Sequence, residues 1–183
     1  MATLSSRGFL VRAAGLVLGA AMFGGIAHAD PVEMPNRKPG LWEIKVNAGA
    51  QMPAMTMQQC TDATTDKDMA TSFSPMAKEM CAKQDMQKTA TGLVIESTCN
   101  VGGMTSTSHT EITGDFNSAY TVKVSSKNAG APAGVPAESA TVMEAKWLGA
   151  CKSDQKAGDI VMPGGMKINI KDMQALKGML PKK

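Results

Sequence analysis

Apolar and polar residues follow two different rhythms along this chain. Residues 13–26 form an uncharged, nearly continuous apolar run, preceded by Arg7 and Arg12 and followed by Ala27-His28-Ala29. A positive start, an apolar centre and small residues at the two positions read by a signal peptidase make a secretory signal, with cleavage expected between Ala29 and Asp30. The run is too short and too glycine-rich to span a bilayer stably. No cysteine follows the cleavage site and the two arginines are not adjacent. The general secretory route to the periplasm is expected, with neither a lipid nor a membrane anchor.

Beyond the signal the period becomes two, the repeat of a strand with one face buried. In Leu41-Trp42-Glu43-Ile44-Lys45-Val46, the residues Trp42, Ile44 and Val46 share one face and Glu43 and Lys45 the other. Leu93, Ile95 and Cys99 share a face, as do Tyr120, Val122 and Val124 further on. Met143, Ala145, Trp147, Gly149 and Cys151 are expected on one face, with Glu144 and Lys146 outward. A threonine-rich run over residues 105–113, bounded by Gly102-Gly103 and Gly114-Asp115, suits a strand with a wet face. Short strands separated by turn residues predict an antiparallel meander, forming a sandwich or a partly closed barrel. Helical period is confined to a weak stretch over 62–80 and a C-terminal segment from Asn169. There Asn169 is placed to cap, and Ile170, Met173, Leu176 and Leu180 form a stripe. Residues 30–40, with Pro31, Pro35 and Pro39, read as a leader, and residues 41–183 as a single β-rich domain. Asn128 to Glu138, built of Ala, Gly and Pro, reads as a loop.

Cysteine usage then adds constraints that the pattern lacks. Cys60, Cys81, Cys99 and Cys151 all survive processing, and an even count in an oxidising compartment predicts two disulfides. A hairpin turning near Thr89-Ala90-Thr91-Gly92, with Gly92 free to take a positive φ, sets Cys81 opposite Cys99. Cys60–Cys151 is left as a long-range bridge. Zinc is disfavoured, because no pair has Cys-x₂-Cys spacing and no histidine lies near.

Charge and composition exclude more than they select. The formal net charge is +3, and the two arginines of the signal account for most of it. A near-neutral mature chain has no electrostatic footprint for nucleic acid. No Gly-x-Ser-x-Gly elbow is present. Alternation sets His109 on the face opposite Ser108 and Thr110, and paired cysteines leave no thiolate, so no catalytic set is legible. Glycine pairs 102–103 and 164–165 precede no phosphate-binding lysine and read as turns. Methionine is the one distinctive supply, with 16 residues against only four Phe, two Trp and one Tyr. It serves as a flexible filler of an irregular core or as an adaptable apolar surface. Met52, Met55 and Met57 also offer soft thioethers of the kind that select Cu(I), with His109 as an added ligand.

The ordered set of Pro39-Gly40-Leu41-Trp42-Glu43, the four cysteines, Trp147-Leu148-Gly149-Ala150-Cys151-Lys152 and Gly158-Asp159-Ile160-Val161-Met162-Pro163 resembles the exported bacterial family of domain of unknown function 3617, over about residues 39–173. That resemblance implies an exported β-rich fold and carries no activity. Family members often have Gly-Asp-Cys where this chain has Gly149-Ala150-Cys151, a departure that leaves the disulfide untouched. The expected function is a disulfide-stapled, non-catalytic binding or envelope-associated module for an apolar small molecule or an envelope protein, without a cofactor. The alternative is a periplasmic Cu(I)-binding protein using Met52, Met55 and Met57.

Overall fold

In the computed structural model, residues 32–49 and 52–172 are described, without the side chains of 70–78. The chain divides into two units, 1–31 and 32–183, and the second carries all described residues. The signal with its cleavage position at Ala29 and Asp30, and the stripe residues Met173, Leu176 and Leu180, lie outside them.

The described residues hold nine strands, among them the expected alternating segments: β1 (Gly40–Asn47), β2 (Met55–Thr61), β3 (Cys81–Thr89), β4 (Gly92–Val101), β5 (Met104–Asp115), β6 (Ala119–Ala129), β7 (Glu138–Gly149), β8 (Asp159–Val161) and β9 (Lys167–Asn169). One α-helix, α1 (Ala63–Met80), joins β2 to β3. The expected antiparallel meander is present as β3 to β7, and it continues into one sheet of order β3-β4-β5-β6-β7-β1-β2-β8-β9. The sheet does not close on itself: its ends are β3 and the three-residue β9.

One face of this sheet, called inner below, carries the core. Trp42 and Ile44 from β1, Leu93 from β4, Ile112 from β5, Tyr120 and Val122 from β6 and Ala145 from β7 form one buried cluster. The register explains their meeting: Leu93 pairs with Ile112, Ile112 with Val122, Val122 with Met143 and Met143 with Val46, one row across five strands. Neighbouring Cβ atoms in such pairs lie about 4.5–5.5 Å apart, close enough to exclude water between them.

The opening and closing motifs of the sequence lie side by side. Trp42 pairs with Trp147, and Leu41 with Gly149 across a register shift. Trp42, fully buried, donates its indole N–H to the Lys38 carbonyl at 2.8 Å, and Trp147 donates to the Pro39 carbonyl at 3.1 Å. Lys38 Nζ sits 3.7 Å from the Trp147 ring centre. Between them only glycine fits at 40: a Cβ there would lie 2.3 Å from the Gly149 carbonyl oxygen. The two tryptophans thus clamp the end of the leader to the first strand.

That register shift also corrects one expectation. Cys151 does not continue the face of Trp147, because the strand ends at Gly149 and the shift interrupts alternation. Cys151 bonds instead to Cys60, which pairs with Leu41 on the outer face. There Leu41, Cys60 and Ile170 are buried, apart from the main cluster. Cys81 pairs and bonds with Cys99. The two-residue turn Ala90-Thr91 alone would set them one position out of register, and an unpaired Ala82 absorbs the difference. Gly92 is required less for the turn than for space: a Cβ would lie 1.9 Å from the Ile112 carbonyl oxygen.

Helix α1 begins with reciprocal bonds of capping-box type. The Thr65 amide donates to Asp62 Oδ1 at 2.7 Å and the Asp62 amide to Thr65 Oγ1 at 2.9 Å. The backbone N–H of Thr65 is the main reason the Asp62 carboxyl is held below its ordinary range. At the C-terminal segment, Asn169 ends β9 and its Oδ1 accepts the Lys171 amide at 2.9 Å, so it caps the helical residues that follow.

The position of α1 implies a strongly coiled sheet. Strands β3 and β2 stand six positions apart, about 29 Å in a flat sheet at roughly 4.8 Å per strand. Following the register, Thr61 and Cys81 are also offset along the strands by about twelve residues, roughly 40 Å at about 3.4 Å each. An 18-residue helix is only about 27 Å long. The sheet must coil to bring these ends within its reach.

Candidate functional site

Charge is segregated by the pleat. Along β4 to β7 every charged side chain stands on the outer face: Glu96, His109, Glu111, Asp115, Lys123, Lys127, Glu138, Glu144 and Lys146. Inner positions of the same strands are uncharged throughout, from Leu93 and Ile95 to Met143, Ala145 and Trp147. They are apolar towards Trp42 and become hydroxyl-bearing towards the Cys81–Cys99 bridge. Ser97, Ser108, Ser126 and Ser139 pair in one row, next to a row of Ile95, Thr110, Val124 and Thr141.

The inner face is incompletely sealed. Val46, Met57, Ile95, Val124 and Met143 pack against the core yet stay half-buried. A sheet with an apolar face ordinarily buries it under a second layer. Among the described residues, Val32 of the leader and Phe116 pack onto the cluster from outside the strands, and α1 meets this face where Asp66 bonds Arg37.

Where α1 starts, the inner face holds a buried polar network. Arg37 Nε donates to Asp66 Oδ1 at 2.6 Å, its Nη2 lies 2.6 Å from the same oxygen, and its Nη1 donates to Gln59 Oε1 at 3.0 Å. The Arg37 backbone N–H adds a bond to Asp66 Oδ2 at 2.8 Å. Both side chains are under a tenth exposed, so leader, helix and β2 are joined through a desolvated ion pair. Burial pushes the Tyr120 phenol above its ordinary value, with the Arg37 charge opposing. The ring stacks on Phe116 at 4.7 Å and tilts against Trp42 at 5.6 Å. Sequence reading passed over Arg37, Gln59 and Asp66, which are dispersed over leader, strand and helix. The one available signal was Asp66 in a helical first turn, close after its cap.

His109 lies on the outer face, away from Ser108 and Thr110 as alternation requires. Its Nδ1 is 2.5 Å from Glu96 Oε1 on β4 and its Nε2 3.2 Å from Glu111 Oε1. The Glu96 bond first and the Glu111 bond second raise its pKa above the ordinary 6.5. These contacts favour the imidazolium, so their contribution is complete below the unfolded-state pKa and is lost as pH rises through the higher folded-state value. An NMR pH titration of His109 is expected to give a midpoint above 6.5, and Glu96→Gln is expected to lower it. A wild-type midpoint at or below the ordinary value would contradict the clamp.

The methionines separate. Met55 and Met57 share the inner face of β2, opposite Val46 and Ile44, and both are half-buried. Met52 precedes the strand and is half-exposed, and His109 stands on the other face of the sheet. Among the described residues no group of three or more His, Cys, Asp or Glu is arranged to hold a metal ion. Depressions of about 380 and 570 Å³ occur elsewhere. One is lined by Glu43, Lys45, Glu144 and Lys146, the other by Asp154, Asp159 and Lys167, and no methionine lines either.

Fold and site therefore define a disulfide-bonded, single-sheet β protein that is uncharged on the inner side of β4 to β7 and charged on the outer side. The chain belongs to the family described as protein of unknown function (DUF3617), whose sequence model matches residues 37–151. The matched segment opens at the buried Arg37 and ends at Cys151 of the long-range bridge. No curated protein and no solved structure matches the chain. Two disulfides are compatible with an exported protein, and no described helix is long and apolar enough to cross a membrane.

Proposed function

We propose that this is an exported, periplasmic, non-catalytic binding module that accepts an apolar ligand, or an apolar segment of an envelope partner, on the inner face of its sheet. The observation that carries this reading is the set of half-buried Val46, Met57, Ile95, Val124 and Met143, packed against the core on the inner face. Methionine in that set favours an adaptable surface over a rigid one. The copper alternative rests on Met55 and Met57 sharing a face; the packing of Met57 on the core and the separation of His109 favour the apolar role.

Titration of the oxidised mature chain with Nile red, a neutral polarity-sensitive dye, tests this. Saturable, blue-shifted emission is expected, weakened at least about tenfold by Ile95→Arg, because a charge moved into an apolar contact is costly. Unsaturable or absent emission would refute the reading. Cu(I) bound by wild type and lost on Met55→Leu/Met57→Leu would favour the metal alternative.

A further inference from the structure

Resting on that reading, we infer that the occupant of the inner face is a single-chain lipid with an uncharged, hydroxyl-bearing head group, its chain on the rows of Ile95, Val124 and Met143 and its head on the hydroxyls of Ser108, Ser126 and Ser139. Three features of this face select that chemistry. Every inner position of β4 to β7 is uncharged, so nothing there pairs with a carboxylate, phosphate or ammonium. The inner-face charges outside those strands stand away from the serine row: Arg37 and Asp66 bond each other, and Lys88 of β3 lies opposite Leu93, at the apolar end. An ionised head laid on the serine row would lose its hydration without a partner.

The second feature is the order of the rows. Leu93, Ile112, Val122 and Met143 form an apolar row; two residues further along the strands lies the mixed row of Ile95, Thr110, Val124 and Thr141. Two further again lies the serine row. Polarity thus rises in one direction along the strands, over about 14 Å at roughly 3.4 Å per residue. That gradient matches a molecule with one apolar and one hydroxylated end lying along the strands.

The third feature is spare hydrogen-bonding capacity. Ser97 and Ser108 bond to each other at 2.7 Å. Ser126 and Ser139, half-buried in the same row, have no side-chain hydrogen bond among the described residues. Each hydroxyl offers one donor and two acceptor sites. Neighbouring strands place them about 4.8 Å apart, a spacing that a head group with adjacent hydroxyls bridges.

The test compares 1-monooleoylglycerol with oleate at neutral pH by displacement of Nile red from the oxidised mature chain. Monooleoylglycerol is expected to displace the dye and oleate to do so at least about tenfold more weakly. Ser126→Ala/Ser139→Ala removes no internal hydrogen bond. It is expected to weaken monooleoylglycerol about tenfold, the scale of two neutral hydrogen bonds, while leaving dye binding unchanged. Nile red bound but displaced equally by both lipids, displaced by neither, or displaced identically from the serine variant would overturn this inference and leave the apolar face standing. Failure of Nile red itself to bind would overturn both.

Discussion

Asp66→Ala is expected to lower stability by about 3–5 kcal/mol, the scale for stranding one partner of a buried ion pair. The variant leaves the Arg37 guanidinium under a tenth exposed and without its charge partner. Arg37→Ala is expected to cost a similar amount by leaving the carboxylate uncompensated. For a domain of this size, such losses lower Tm by roughly 6–20 °C. The double variant Arg37→Met/Asp66→Leu is expected to recover most of it, since apolar replacement of a whole buried pair is often neutral or better. Thermal unfolding of the three variants decides the matter. Single variants within about 1 kcal/mol of wild type would mean that the pair is hydrated in solution and joins nothing.

The second large effect belongs to the long-range disulfide. Cys60→Ala/Cys151→Ala is expected to cost about 4–5 kcal/mol, because the bridge closes a loop with a sequence separation of 91. Cys81→Ala/Cys99→Ala, with a separation of 18, is expected to cost about 3 kcal/mol on the same model. Urea unfolding under oxidising and reducing conditions provides the comparison. Wild type should fall towards the doubly substituted chains only when reduced. The reverse ranking of the two pairs would show that local strain or residual structure outweighs loop closure.

These elements differ in how far the sequence disclosed them. Strands β1, β4, β6 and β7 were legible from a period of two, one face apolar and the other charged or hydroxylated, and β5 from its threonines between glycine turns. The cysteine pairing followed from the symmetry of a short hairpin. Strands β8 and β9 were not legible, since three residues cannot display a period. The unpaired Ala82 and the shift beside Trp42 were hidden for a related reason. A bulge changes which residues oppose each other without changing their composition. The arrangement of the strands in one unclosed sheet depends on β1 pairing with β7, and no local signal encodes a partner about a hundred residues away. The same distance concealed the polar network. Arg37 and Asp66 each look like an ordinary solvated charge, and only the crossing of α1 over the inner face makes them a buried pair. The charge segregation, by contrast, was present in the alternation strand by strand; its uniformity over four neighbours became visible once their register was known.

The pairing of Trp42 with Trp147 also carries a consequence for the order in which the chain acquires its structure. A chain made from its N-terminus presents β1 first, yet β1 has β7 as one neighbour and closes beside it only after some hundred further residues exist. The hairpins from β3 to β7 each need only the adjoining segment, so they are expected to form early and in sequence. The first strand is therefore expected to be among the last docked. Until then its apolar side, Trp42 and Ile44, waits without its neighbour. The glycine at 40 and the indole bonds to Lys38 and Pro39 become, in this light, a latch at the end of assembly: the leader is drawn in only when the last long strand arrives to receive it.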